Sequence, residues 1–235
     1  MFNDEHFGMK EKDIEHFLDV TKFKTVDSIQ FGRHYQEVWY FTPLPHEFHV
    51  QCLYICDFCL HFCVSKKELA RHTEKCAVRA PPGDEIYREG TPGVNEIAFF
   101  EVNGSAQETY CENLTYISRM FLEHKNLVDY IAVFFFYVLC EVKEDGYHVV
   151  GYFSKEKNSE SERNLSCILT LPFCQRTGYG KLLIDMSYAL SIIEGRPGSP
   201  EKPLSDLGQM AYVKYWTRQI VDQLLDYKHD AITFE

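Results

Sequence analysis

Four residues at metal-ligand spacing, Cys56-x2-Cys59 and, twelve residues on, His72-x3-Cys76, oblige residues 56–76 to fold back on themselves. A Cys-x2-Cys knuckle presents two thiolates side by side, and a His and a Cys four positions apart come from one helical turn. Soft sulfur and nitrogen donors in a closed tetrahedron suit Zn2+, so a structural zinc site on Cys56, Cys59, His72 and Cys76 is expected. Cys63 and Leu69 fall where small fingers place their mini-core, which makes Cys63 core filler and not a fifth ligand. Cys52 and His61 lie close, but a four-residue step from Cys52 to Cys56 is unusual for a knuckle, and both are left out. The alternative, four buried side chains without metal, is disfavoured by the double spacing. Residues 51–80 carry a net charge of only +2. One such finger rarely reads DNA alone, so direct DNA binding is expected to be weak at most.

The remaining cysteines bear on the compartment. Nine cysteines at irregular spacing in 235 residues, behind a charged first dozen residues without a secretory apolar stretch, indicate a reducing environment, cytosol or nucleus. The most apolar run, residues 130–140, falls well short of the roughly 20 residues of a membrane span. The net charge of −11 argues against a nucleic-acid coat and leaves room for a basic protein substrate. Residues 81–150 hold −8 of it, while 151–200 are slightly basic. Part of that acidic excess is expected to face a cleft and attract a Lys-rich tail.

Patterning predicts an α/β (α+β) chain with strands and helices interleaved around a central sheet. The expected elements are a helix near 13–21, strands at 29–31 and 38–41, and a hairpin of 99–102 and 108–111 turning at Asn103-Gly104. A helix at 114–122 with Asn113 as N-cap follows, then a second hairpin, 134–142 with 148–154, across Glu144-Asp145-Gly146. One buried strand, 165–171, leads to an amphipathic helix at 178–193 with Leu182, Leu183, Met186, Leu190 and Ile193 on its inner face. A last helix spans about 205–227. The expected organisation is an N-terminal extension (1–28), an N-terminal segment (29–95) with the finger at 52–80, a catalytic core (96–200) and a C-terminal segment (201–235).

The join between that strand and helix, Gln175-Arg176-Thr177-Gly178-Tyr179-Gly180-Lys181, is the second strong signal. Glycines opening a helix let backbone N–H groups approach a phosphate, and the helix dipole favours the anion. Neither a P-loop nor a dinucleotide fingerprint is present. The pattern Q/R-x-x-G-x-G/A is instead the pyrophosphate signature of acetyl-CoA-dependent N-acetyltransferases.

In order along the chain stand Ile29-Gln30-Phe31-Gly32-Arg33, Trp39-Tyr40, the finger, Pro81-Pro82-Gly83-Asp84-Glu85-Ile86-Tyr87-Arg88, and Gly151-Tyr152-Phe153-Ser154-Lys155-Glu156-Lys157. Ser166-Cys167-Ile168-Leu169-Thr170-Leu171-Pro172 and Gly198-Ser199-Pro200-Glu201-Lys202-Pro203-Leu204-Ser205-Asp206-Leu207-Gly208 complete the series. Over residues 28–227 these blocks closely resemble the MYST family of histone acetyltransferases. The resemblance implies an acetyl-CoA N-acyltransferase-like core between an N-terminal zinc-finger segment and a C-terminal, partly helix-turn-helix-like segment. It implies Glu201 as general base and Cys167 as active-site cysteine. Ile168, Thr170, Arg176, Thr177, Gly178, Tyr179, Gly180, Lys181 and Ser205 match its cofactor contacts. Histone tails as substrate, acetyl-CoA and structural Zn2+ as cofactors, a nuclear location and the other subunits of a chromatin-modifying complex as partners follow from the same resemblance.

The chemistry fits these roles. A lysine ammonium, with a pKa of roughly 10.4, must lose a proton before it attacks a thioester, and a carboxylate within reach can take it. Cys167 offers two routes. It can carry the acetyl group covalently, or it can merely pack while the amine attacks acetyl-CoA directly. A lone buried cysteine is usually inert, so direct attack is expected.

The chain departs from the family pattern in places. Arg119, in Tyr116-Ile117-Ser118-Arg119-Met120, stands at the family's self-acetylated lysine. Arginine keeps the charge but cannot be acetylated this way, and Lys125 is out of register. Residues 91–98 are longer than the family pattern and the C-terminal segment is shorter, so either substrate or cofactor binding is expected to be weaker or a partner subunit supplies the missing wall. With no reader module ahead of residue 28, targeting is expected to come from partners as well. The competing class is a zinc-finger scaffold or DNA-binding subunit with a weakened acetyltransferase core, against which the retained Glu201, Cys167 and glycine loop argue. Acetylation of small amines or of other proteins by the same core is a third reading.

Overall fold

The computed structural model describes residues 24–122, 131–159 and 162–226; the helix expected near 13–21 and Lys125 lie outside them. Five strands form an antiparallel central sheet: β5 (Asp84–Glu89), β6 (Ile97–Asn103), β7 (Phe134–Lys143), β8 (Gly146–Glu156) and β10 (Cys167–Thr170), in the order β10-β8-β7-β6-β5. Alternation along the strands separates two apolar faces. Ala98, Phe100, Val102, Phe136, Val138 and Tyr152 face one way, onto α2 (Glu108–Arg119). Ile97, Phe99, Tyr137, Leu139, Val150 and Phe153 face the other, onto Leu183 and Ile184 of α3 (Tyr179–Ile193) and Tyr212 of α4 (Asp206–Asp226). A sheet covered on both faces can place one strand end, that of β10, in a fixed position.

Four short strands precede it: β1 (Ser28–Phe31), β2 (His34–Glu37), β3 (Cys52–Ile55) and β4 (Phe62–Cys63), in the order β2-β1-β3-β4, with β1 and β3 parallel. Their apolar residues, Ile29, Phe31, Leu53, Ile55 and Phe62, join the α2 side of the core. The finger helix α1 (Lys66–Lys75) opens with a capping box. Ser65 Oγ accepts from the Glu68 N–H at 3.2 Å, and Glu68 accepts from the Val64 N–H at 2.9 Å.

Several expectations need correction. The second strand lies at 34–37 and not at 38–41, because the N–H groups of Trp39 and Tyr40 turn to the Met120 carbonyl beyond the end of α2. Asn103-Gly104 does not turn a hairpin. Asn103 Oδ1 accepts from the Ser105 N–H at 3.0 Å, and the Asn103 carbonyl takes the N–H groups of Ala106 and Gln107, so the chain leaves β6 into helix. Residues 108–111 are therefore helical, and Asn113 lies inside α2 instead of capping it. The single strand expected at 165–171 is two, broken at Ser166. β9 (Arg163–Leu165) departs to pair in parallel with β11 (Ser199–Pro200), and only β10 stays on the central sheet. On α3, Leu183 is buried and Leu182, Met186 and Leu190 are partly so, but Ile193 is 80% exposed, because the buried face is the one that carries Leu183, Ile184, Ser187 and Ser191 and Ile193 lies off it.

The hairpin across 144–146 stands as read, with Gly146 at φ 140° closing β7 onto β8. The C-terminal helix also stands. Ser205 Oγ caps it by accepting from the Gly208 N–H at 3.1 Å, and Trp216 Nε1 donates to Tyr188 of α3 at 2.7 Å. Among the described residues, no helix is long and apolar enough to cross a membrane.

Candidate functional site

The finger brings its four expected donors together: one ligand atom each from Cys56, Cys59, His72 and Cys76, all within 4.8 Å of one another. Leu60, at φ 62°, lets the knuckle turn, and the Leu60 N–H closes it on the Cys56 carbonyl at 2.9 Å. The Cys59 thiol, and then the N–H groups of Cys59 and Phe58, donate to Cys56 Sγ and hold its thiol below the ordinary cysteine value, against burial that raises it. Such a knuckle favours thiolate, the form a metal binds. His72 Nε2 lies 3.1 Å from Cys59 Sγ, and Cys76 ends α1 with its N–H on the His72 carbonyl. This closed S3N set fits Zn2+ and leaves no open position for catalysis. Cys63 is buried beside Phe58 and Leu69, with its thiol pushed up to about 11 mainly by that burial. His61 stacks on the His72 ring at 4.7 Å and packs the ligand.

A second constellation forms where β10 meets α3. Cys167 and Leu169 point into the core, while Ile168 and Thr170 are only partly buried on the opposite face of the strand. Gly151 of β8 allows β10 to lie close, since a Cβ there would stand 2.6 Å from the Leu169 carbonyl oxygen. Gln175 Nε2 donates to the Thr170 carbonyl at 3.2 Å, and Thr177 Oγ1 donates to that of Cys174 at 2.6 Å. Arg176 (φ 64°) and Gly178 (φ 101°) then turn the chain through left-handed backbone into α3. The first hydrogen bonds of that helix run from Lys181 and Leu182 to the Gly178 carbonyl, so the amides of Tyr179 and Gly180 precede its ladder. Nothing lies within 4 Å of where a Gly178 Cβ would be, and Gly180 stands against Thr170. The result is an open helix N-terminus with unpaired amides, which suits a pyrophosphate. Lys181 pairs with Asp185 at 2.6 Å, and Tyr179 OH donates to Glu141 at 2.5 Å.

Glu201, 34 residues beyond Cys167, reaches the same strand through the β9–β11 pair. The Ser199 N–H bonds to the Glu162 carbonyl at 3.2 Å, and the Glu201 N–H bonds to that of Leu165 at 3.0 Å, two residues ahead of Cys167. Cys167 is buried. Its N–H donates to Ser154 Oγ at 3.2 Å, and its sulfur lies 3.5 Å from Tyr152 OH. Burial drives the Tyr152 phenol well above its ordinary range, so it remains protonated. No basic side chain among the described residues is bonded to the Cys167 sulfur. Ser205 uses its oxygen lone pair to cap α4, which leaves its hydroxyl proton to donate. Arg119 sits half-buried in the last turn of α2.

Sequence reasoning assigned nothing to Arg163, whose Nη1 donates to Glu201 Oε1 at 2.5 Å. It also passed over Tyr152 and Ser154 beside Cys167. Both lie in the 151–157 block that carries the family resemblance, which assigned neither of them a role.

Known families match both regions of the chain. The MOZ/SAS family pattern matches residues 80–235, and the MYST family zinc finger domain matches residues 23–76. Histone acetyltransferase of the MYST family 2 from Arabidopsis thaliana is 50% identical over 212 residues, covering 89% of this chain and 46% of that protein. Histone acetyltransferase esa-1 of Neurospora crassa is 46% identical over 220 residues, covering 92% of this chain and 42% of its own length. A histone acetyltransferase of Schizosaccharomyces pombe is 48% identical over 208 residues, 88% of this chain and 44% of that protein. The chain thus spans about half the length of the curated relatives it matches.

Proposed function

Because this chain belongs to the MOZ/SAS family and carries the MYST family zinc finger, we propose that it is a protein-lysine acetyltransferase that moves acetyl from acetyl-CoA to lysines of histone tails in the nucleus. One observation carries the reading. The Glu201 N–H bonds to the Leu165 carbonyl at the end of β9, and β10, which begins two residues later, runs toward the glycine-opened N-terminus of α3. An acyl carrier with a pyrophosphate and an amine needing deprotonation are the two reactants that such a site serves.

In this scheme the amides opening α3, with Arg176 to Lys181 and Ser205, hold the pyrophosphate arm, and Ile168 and Thr170 line the path to the thioester. Acetyl-CoA supplies the activated acyl group. Glu201 takes a proton from the lysine ammonium, and the freed amine attacks the thioester carbonyl; as the amide C–N bond forms the C–S bond breaks, and CoA leaves as a thiolate that takes up the proton lost from the acylated nitrogen. Cys167 packs beneath. Its sulfur lies beside the Tyr152 phenol, and among the described residues no basic side chain is bonded to it, so direct attack is favoured over an acyl-cysteine. Cys56, Cys59, His72 and Cys76 hold a structural Zn2+ away from this chemistry. The acidic residues of 81–150 draw the cationic tail by long-range attraction, and other subunits of a chromatin complex supply targeting. The domain limits proposed from sequence are 29–95, 96–200 and 201–235, and the first of these takes in β5 of the central sheet as well as the finger.

Transfer of labelled acetyl to a panel of histone-tail peptides, wild type beside Glu201→Gln, tests this. Label on lysine peptides with wild type alone is the expected result. No label on any peptide, with acetyl-CoA giving no thermal protection, would favour the scaffold reading.

A further inference from the structure

The Arg163–Glu201 pair has no part in the scheme above, yet it occupies its base. The fold does not need it. β9 and β11 are joined by backbone bonds, and the next residue, Asn164, turns the other way, buried and bonded to Ser187 of α3. Both charged side chains are more than a third exposed, 39% for Arg163 and 36% for Glu201. Exposed pairs of this kind shift an equilibrium only about two- to fivefold (~0.4–1 kcal/mol). The pair's consequence is local. It sets a cation on the carboxylate that a second cation, the substrate ammonium, has to reach.

We propose that Arg163 is an internal competitor for the substrate lysine: its guanidinium holds Glu201 in the free enzyme, and the incoming ammonium displaces it. The inference rests on Glu201 being the base. A guanidinium and an ammonium cannot both lie against one carboxylate oxygen without like charges in contact, and the guanidinium has solvent beside it to swing into. No covalent bond changes; one charge-assisted hydrogen bond replaces another. Arg163 thereby sets how tightly a lysine is held before chemistry, without touching acetyl-CoA.

The test is a cycle on the full zinc-loaded chain: wild type, Arg163→Gln and Arg163→Lys, each with and without Glu201→Gln, against one lysine-bearing histone-tail peptide. Peptide Kd and steady-state constants are measured. Arg163→Gln should lower peptide Kd and KM about two- to fivefold, leave the KM for acetyl-CoA unchanged and not reduce kcat. Arg163→Lys, which keeps a cation, should stay near wild type. In the Glu201→Gln background Arg163→Gln should leave peptide Kd unchanged. A fall in kcat at unchanged peptide KM would overturn the proposal in favour of Arg163 orienting the base. Equal tightening in both backgrounds would overturn it as a general relief of positive charge. Retained kcat in Glu201→Gln alone would remove the base assignment while the Kd cycle still reads the competition. An unchanged Tm shows that Arg163→Gln is folded.

Discussion

The finger and the central sheet reach order by different means. Apart from Leu60 and Phe62, which join the main core, the finger encloses four buried apolar or sulfur side chains, Cys56, Phe58, Cys63 and Leu69, too few to offset the backbone entropy of some twenty residues at about 1–2 kcal/mol each. Its convergence on one point implies a metal. The central sheet is covered on both faces by continuous apolar clusters and needs none. The difference teaches where fragility and function are each expected to lie: a metal would hold the finger, while packing holds the strand end to which the chemistry is assigned in the proposal.

The largest expected effect breaks the molecule along that line. Structural zinc in finger peptides contributes about 10–16 kcal/mol at pH 7. Chelation, or His72→Ala, should therefore abolish amide protection in 56–76 while β6, β7 and β8 stay protected in hydrogen exchange. Loss of protection in both regions together would mean that they are one cooperative unit. Leu139→Ala is the reverse cut. Fully buried on β7, it should cost about 2–5 kcal/mol by denaturant unfolding, with the chelatable Zn2+ still bound to the folded protein. Preferential zinc loss would couple the regions more tightly than described.

The smallest effect sharpens the boundary at the sheet's edge. Arg88 on β5 bonds Glu85, Glu96 and Tyr147, and its bond to Glu85 holds that carboxyl below the ordinary carboxylate value. A depressed folded value gives stability that is present above the unfolded pKa, roughly 4.3, and lost as pH falls through the folded one. Arg88→Ala should lower stability near neutrality by less than about 1 kcal/mol, given the exposure of the pair, and flatten the acid limb of stability against pH. A drop of several kcal/mol would make this edge part of the core.

What the sequence made legible was local. The metal quartet, the hairpin across Gly146 and the glycine-opened α3 each carry their signal within a few residues. Asn103-Gly104 misled because its glycine answers a distant demand: a Cβ at Gly104 would stand 2.1 Å from the Ile131 carbonyl oxygen. The exposure of Ile193 follows from a buried face that includes two serines, Ser187 and Ser191, which apolar periodicity does not mark. The break at Ser166 depends on the Ser154 carbonyl of a neighbouring strand. Glu201 was found through its motif, but its guanidinium partner lies 38 residues earlier and is visible only once β9 and β11 are paired.

The central claim is that acetyl transfer needs a carboxylate at 201 and does not pass through sulfur at 167. The direct measurement is acetyl transfer to a histone-tail lysine peptide at neutral pH by two folded, zinc-loaded variants side by side. Glu201→Gln should lose about 10²–10⁴-fold in rate, the usual worth of a general base, while Cys167→Ala keeps much of the wild-type rate. A Glu201→Gln protein close to wild type beside a folded, inactive Cys167→Ala protein would contradict the account.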